Sequence, residues 1–293
     1  MIQLAHIAHH LRDAAALALL ATPLLASAQT HQLSAYTRAH STDFLHNQVD
    51  SDYKDLDFLD KPEARQLHTL QSAGHEGGGS AIANFEGSIG LLKAYASASY
   101  PYCCDSQGYT VAHGYADATA QGQFYDTIVV GGAGLATGTP VTYTLDFRID
   151  GTLGSPSFEI GGFLAAYGIA EARLRDKDSG QIASLSWDAS KQATGLYSLS
   201  LATQVGHTLT INGRLTVGAG VTSNAGTARS VFADFDQSAY FNLAPSVAGL
   251  NTTGASGHNF LAAVPEPSSW MLLGLGLLTV LGLQRFNRAG GRA

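Results

Sequence analysis

Residues 207–220 read HTLTINGRLTVGAG, and the Asn212-Gly213 pair at their centre decides the fold. Asn-Gly between apolar runs normally marks a two-residue hairpin turn. A turn there would set Ile211 opposite Arg214 and Leu209 opposite Thr216, mixing apolar and polar side chains on both faces. Read straight through, Leu209, Ile211, Gly213, Leu215 and Val217 all fall on one side. One long strand is expected, with one face buried and the other wet.

The neighbouring sequence has the same period of two. In TPVTYTLDFRIDG (139–151), Val141, Tyr143, Leu145, Phe147 and Ile149 alternate with Thr142, Thr144, Asp146 and Arg148, a half-buried strand closed by Asp150-Gly151. GIAEARLRDKDSGQIASLSW (168–187) reads as a hairpin around DKDSG, with Ile169 to Arg175 against Gln181 to Trp187. SVFADFDQSAYFNLAP (230–245) gives one strand or a tight pair, and strands also fit Ile89 to Ser97 and Phe124 to Val130. Seven or eight strands without a long helical period predict an all-β fold, an antiparallel β-sandwich of jelly-roll type.

Residues 29–80 read differently. DSDYKDLDFLDKPEARQ (50–66) carries Asp50, Asp52, Asp55, Asp57 and Asp60. An EF-hand loop begun at Asp50 needs Gly at its sixth position and Glu at its twelfth. The chain has Asp55 and Lys61 there, so a solvated acidic turn or short helix is expected rather than a calcium site. AGHEGGGSA (73–81) reads as a linker. The expected organisation is a signal peptide over 1–28, a flexible acidic segment over 29–80, a β-sandwich over 81–262 and a C-terminal segment over 263–293.

Composition narrows the function. Only 13% of the 293 residues are charged and the net charge is −7, against a usual charged share of about 25%. Without residues 1–28 and 265–293, 12 Lys and Arg remain against 21 Asp and Glu. An acidic body with no basic cluster in its sequence argues against a nucleic-acid partner.

Both ends carry addresses. MIQLAHIAHHLRDAAALALLATPLLASAQT (1–30) has a basic start ending near Arg12, an apolar run from Ala14 to Leu25, and small residues at Ala26 and Ala28 for a signal peptidase. At the other end Trp270 to Leu283 is an apolar segment, followed by Arg285, Arg288 and Arg292. With Ser268 and Ser269, a helix there would span about 24 Å, short of the roughly 30 Å hydrocarbon core. Trp270 suits the interface and the arginines suit a cytoplasmic stop. A single transmembrane helix is expected, with the body exported.

Pro265-Glu266-Pro267, the apolar segment and then Arg285 and Arg288 together resemble the PEP-CTERM sorting signal of Gram-negative bacteria. That resemblance implies processing by an exosortase, a membrane protease-transpeptidase that cuts near the triplet. It also implies an inner-membrane-anchored precursor whose product ends at the cell surface or in the extracellular matrix, in company with exopolysaccharide or biofilm. The prolines keep the triplet extended and accessible. GSIGLLKAYASAS (87–99), FYDTIVVGGAG (124–134), LDFRIDGTLG (145–154), VFADFDQSAYFNLAPS (231–246) and GASGHNF (254–260) are similar to segments of β-rich PEP-CTERM proteins.

Chemistry-bearing residues are sparse. Cys103 and Cys104 are adjacent, closer than an ordinary disulfide prefers. A vicinal disulfide, an intermolecular bridge and free thiols are the three readings, the first favoured. His31, His40, His46, His68, His75, His113, His207 and His258 form no metal-binding spacing, and no catalytic motif, metal site or cofactor site is expected. Asp146 with Glu159, or Asp234 with Asp236, would suit a glycosidase only across one cleft. Asn251-Thr252-Thr253 matches a glycosylation acceptor. The expected function is that of a non-enzymatic exported surface or matrix protein. The alternative is a carbohydrate-binding sandwich with Trp187, Tyr197, Tyr240 or Tyr143 stacking on sugars, and less favoured still is a polysaccharide hydrolase or lyase.

Overall fold

The structure is a computed structural model and describes residues 30–43, 48–59, 66–74, 79–100, 114–154, 164–222 and 229–261. The signal-peptide positions Ala26 and Ala28, the cysteines Cys103 and Cys104, and the whole C-terminal segment lie outside them.

The strand that reads through Asn212-Gly213 is real. Residues Thr208–Thr222 form β12, with Leu209, Ile211, Leu215 and Val217 fully buried. Numbered in chain order, the other strands are β1 His31–Asp43, β2 Gln48–Leu59, β3 Gln66–Gly74, β4 Ser80–Ser88, β5 Leu91–Tyr100, β6 Gly114–Val129, β7 Pro140–Ile149, β8 Thr152–Gly154, β9 Leu164–Asp176, β10 Ile182–Asp188, β11 Gly195–Gln204 and β13 Arg229–Pro245. Gly213 explains why Asn-Gly is not a turn. A Cβ there would lie 2.3 Å from the Phe124 ring and 2.6 Å from that of Phe241, so the position is glycine to admit two core rings.

Two antiparallel sheets face each other. One has the order β10-β9-β12-β6-β1-β2, the other β11-β7-β13-β5-β4-β3, with β8 beside β13. The sandwich expectation holds; among the described residues it has thirteen strands, ten of them from Ser80 on, where seven or eight were expected, so it is larger than an eight-strand jelly roll. The five alternating residues of β7 are all buried. β9 and β10 pair as the expected hairpin, Arg175 opposite Ile182 and Ile169 opposite Asp188. Residues 230–245 belong to one strand, β13, with a register shift between Phe235 and Ala239.

The core has two textures. Toward one end, rings interlock: Phe124 meets Phe241 edge-on at 4.9 Å, and Phe147 stacks on Phe241 at 5.0 Å. Toward the other, β1, β4, β5 and β6 contribute fully buried alanines, among them Ala39, Ala83, Ala96 and Ala118.

Residues 31–74 correct the expectation of a flexible acidic segment. They supply β1, β2 and β3, and Ala73, Gly74 and Ser80 of the expected linker lie within paired strands. Polar atoms are satisfied inside: Thr37 Oγ1 and Thr69 Oγ1 share a hydrogen bond of 3.0 Å between the sheets, and Ser41 Oγ donates to the Gly79 carbonyl at 2.8 Å. From Asp50 to Leu59 the acidic run is an edge strand, not a turn or helix, and Asp60 lies outside the described residues. Asp50 and Asp52 pair with inward-facing Ser41 and Ala39, whereas Asp55 pairs with outward-facing Tyr36, so the carboxylates diverge. Charge on an edge strand also discourages pairing with another chain. Asp50 Oδ2 accepts the Gly74 amide at 2.8 Å.

Candidate functional site

Pro265, Glu266, Pro267, Trp270, Leu283, Arg285 and Arg288 lie outside the described residues. The segment that leads to them is described. Residues 246–261 close one end of the sandwich, tied at many points. Asn251 N donates to Gly131 O at 2.7 Å, Ala255 N to Thr127 O at 2.8 Å, and Leu243 N to Phe260 O at 3.1 Å. Tyr143 Oη donates to Asn251 O at 2.8 Å, and burial pushes this hydroxyl up to about 12.

Asp126 anchors the segment from inside. Its carboxylate accepts Ser256 Oγ at 2.6 Å, Ser256 N at 3.2 Å and Thr127 N at 2.8 Å. Burial pushes Asp126 above the usual carboxylate range despite those bonds, and burial pushes His258 down. His258 packs edge-on to Phe260 at 4.6 Å. A Cβ on Gly254 would lie 1.9 Å from Asp126 Oδ2, so the backbone passes close over the acid only because it is glycine. Ser256→Ala is expected to cost about 2 kcal/mol, the scale of a hydrogen bond to a charged group, measured by chemical denaturation.

A second polar centre joins two turns. Asp176 is fully buried. It accepts His207 Nδ1 at 2.7 Å, Thr203 Oγ1 at 2.8 Å, Asp178 N at 2.9 Å and Ser179 N at 3.0 Å. Asp178 Oδ2 accepts Thr208 N at 2.6 Å. Asp176, Asp178 and His207 lie close enough to share a cation. Asp176 already accepts four hydrogen bonds, however, which uses the acceptor capacity of a carboxylate. The cluster therefore reads as a brace between the 176–180 turn and the 204–208 turn. Sequence spacing missed it, because His207 stands 29 residues from Asp178; Asp176 at the head of an Asp-x-x-Ser turn was the available signal.

The proposed sugar-stacking residues divide. Trp187 and Tyr143 are core, and Trp187 Nε1 donates to Ala193 O at 2.8 Å. Tyr197 is half-buried with its hydroxyl on the same carbonyl, and Tyr240 is half-buried on the outer face of the second sheet. Of the carboxylate pairs, Glu159 lies outside the described residues and Asp146 is held by Ser198 Oγ at 2.6 Å. Asp234 and Asp236 share the outer face beside the β13 irregularity, where burial and Asp234 push Asp236 up.

The outer face of the six-stranded sheet carries an open depression of about 450 Å³, floored by β6, β9 and β12 with Gln32 of β1 at its side. Strand register builds it. Gln32, Tyr125, Asn212 and Arg173 lie in one row across β1, β6, β12 and β9; Ser34, Gln123, Arg214 and Glu171 form the next. A second depression of about 330 Å³, with Tyr36, Asp55 and Gln121, shares Gln123 with the first.

Comparison with known proteins agrees with the C-terminal reading. Residues 263–285 match the PEP-CTERM protein-sorting motif. No curated protein matches the chain. Among solved structures, one from work on the promiscuous specificity of carbohydrate-binding modules of the β-sandwich superfamily is 9% identical, covering 73% of this chain and 86% of that one at a TM-score of 0.16. A likeness that low carries no argument about a ligand.

Proposed function

We propose that the chain, whose sorting motif marks it as exported and processed by exosortase, is a non-enzymatic protein of the cell surface or extracellular matrix that associates with exopolysaccharide. The observation that carries this reading is the join between body and motif. The closing segment is hydrogen-bonded to the sandwich as far as Phe260, and only Leu261, Ala262, Ala263 and Val264 separate it from Pro265. A cut near the triplet would leave every one of those bonds in the released product. On this reading signal peptidase removes residues 1–28, and Trp270 to Leu283 holds the precursor in the inner membrane until exosortase acts.

The absence of catalysis is part of the proposal. Two observations support it: each outer-face depression has a single carboxylate, Glu171 in one and Asp55 in the other, and Asp176 is committed to structure. The test is replacement of Pro265, Glu266 and Pro267 by alanine, followed by cell fractionation. The expected result is a longer precursor retained with the membranes and a loss of the extracellular form. Unchanged size and unchanged extracellular yield would overturn the reading.

A further inference from the structure

The outer-face depression has a charge character opposite to the chain. The protein carries −7 overall, yet Arg173 and Arg214 line the depression with Glu171 as its one carboxylate. Arg175 lies two residues along β9 on the same face, and Lys177 Nζ sits over the Tyr125 ring, 5.5 Å from its centroid. Four of the sixteen basic residues thus gather at one end of one sheet face.

The arginines have donors to spare. Arg214 makes one side-chain bond among the described residues, Nη2 to Glu171 Oε1 at 3.1 Å, which leaves the other N–H groups of its terminal nitrogens uncommitted. A guanidinium has five N–H donors. Arg173 is exposed and has no ion-pair partner among the described residues. Beside them, Gln123 and Asn212 present amides that both donate and accept. Unpaired guanidinium donors recognise carboxylate oxygens, and amides recognise hydroxyls.

We infer that this depression binds an acidic polysaccharide, a chain of hydroxyl-rich rings bearing carboxylates. The row from Gln32 to Arg173 crosses four strands, about 14 Å at ordinary strand spacing, which is longer than one sugar ring. The site is open and shallow, as a polymer requires. Single-stranded nucleic acid fits less well, because it binds largely by stacking bases on exposed aromatic faces, and the one ring lining the depression besides buried Phe124 is Tyr125, already covered by Lys177. The inference rests on the polysaccharide association proposed above only for the source of the ligand.

The test is affinity electrophoresis of the full chain in detergent, through gels containing polygalacturonate, neutral dextran or poly(U). Retardation by polygalacturonate alone, weakened by salt, is expected. Arg173→Gln is expected to weaken it about tenfold, the scale of one lost charge-assisted pair. Arg148→Gln, which removes the same charge from the other sheet, is expected to leave it unchanged. Equal loss in both variants would reduce the effect to net charge and overturn the site. Retardation by dextran or poly(U) as strong as by polygalacturonate would overturn the ligand class, and no retardation would overturn the inference outright. None of these outcomes depends on Pro265-Glu266-Pro267, so the sorting reading stands or falls separately.

Discussion

Gly122→Val is expected to destabilise the sandwich by about 3 kcal/mol or more, or to prevent its folding. On propensity alone the sign would be opposite, since valine favours strands and glycine weakens them. The packing decides. Gly122 lies mid-β6, between Ala35 of β1 and Leu215 of β12, and a Cβ there would lie 1.8 Å from Phe85 Cε2 and 2.0 Å from Cζ. Carbon atoms in contact sit about 3.5–4.0 Å apart, so the ring must retreat by about 2 Å. Phe85 is fully buried, and its Cζ would also lie 2.6 Å from a Cβ on Gly87. Denaturation midpoints of the full chain measure the cost. Adding Phe85→Leu should recover part of it, a coupling within the roughly 0.5–3 kcal/mol seen for contacting residues. Gly131→Ala, with nothing within 4 Å of its Cβ, serves as the control and should change stability by less than about 0.5 kcal/mol.

Asp176→Ala is expected to cost about 4 kcal/mol at neutral pH, the range for removing one member of a buried, hydrogen-bonded polar pair. The loss strands buried Thr203 and the Ser179 and Asp178 amides, and removes the partner of His207. It also has a pH signature. Burial alone would raise the Asp176 carboxylate, but the bonds from His207, Ser179 and Thr203 outweigh it and hold the group well below the usual range. A depressed folded value means the stabilisation is complete above the ordinary carboxylate value of 3.8 and fades as pH falls below it toward the folded value. Melting curves of wild type and Asp176→Ala should therefore converge as pH is lowered from about 4. Curves that stay parallel down to pH 2 would remove the assigned role. Asp126 carries the opposite sign. Its folded value is raised, so protonating it favours the native state, and it contributes no part of the acid lability.

What the sequence disclosed followed the size of the inward side chains. β7 and β12 place mostly large apolar side chains at alternate inward positions, and both were legible; the β9–β10 hairpin, which turns Ala170, Ala172 and Leu174 inward, was legible from its DKDSG turn instead. β6 was read only from Phe124, although it starts at Gly114. Its first half turns Ala116, Ala118, Ala120 and Gly122 inward, and small residues leave almost no hydropathy contrast. β1 was missed for a related reason: Thr37, Ser41 and Asp43 point inward beside Ala35 and Ala39, so its buried face reads as polar. The outer-face depression was not legible at all. It joins Gln32, Gln123, Arg173 and Asn212, which only strand register makes neighbours. Trp187 drew attention as an aromatic, and its indole N–H reaching Ala193 is a pairing that no spacing rule encodes.

The order of strands also bears on how the protein leaves the cell. β12 and β13 are the last strands made, yet each lies inside its sheet, β12 between β9 and β6, β13 between β7 and β5. On the export route proposed above the amino end crosses first, so one sheet cannot be completed until residue 222 has emerged and the other until residue 245 has. Until then β5, β6, β7 and β9 each have one ladder side open, the condition in which chains pair with strangers. The apolar tail that follows would then hold the nascent sandwich at the membrane surface, apart from its fellows, for the interval in which its last two strands slot into place.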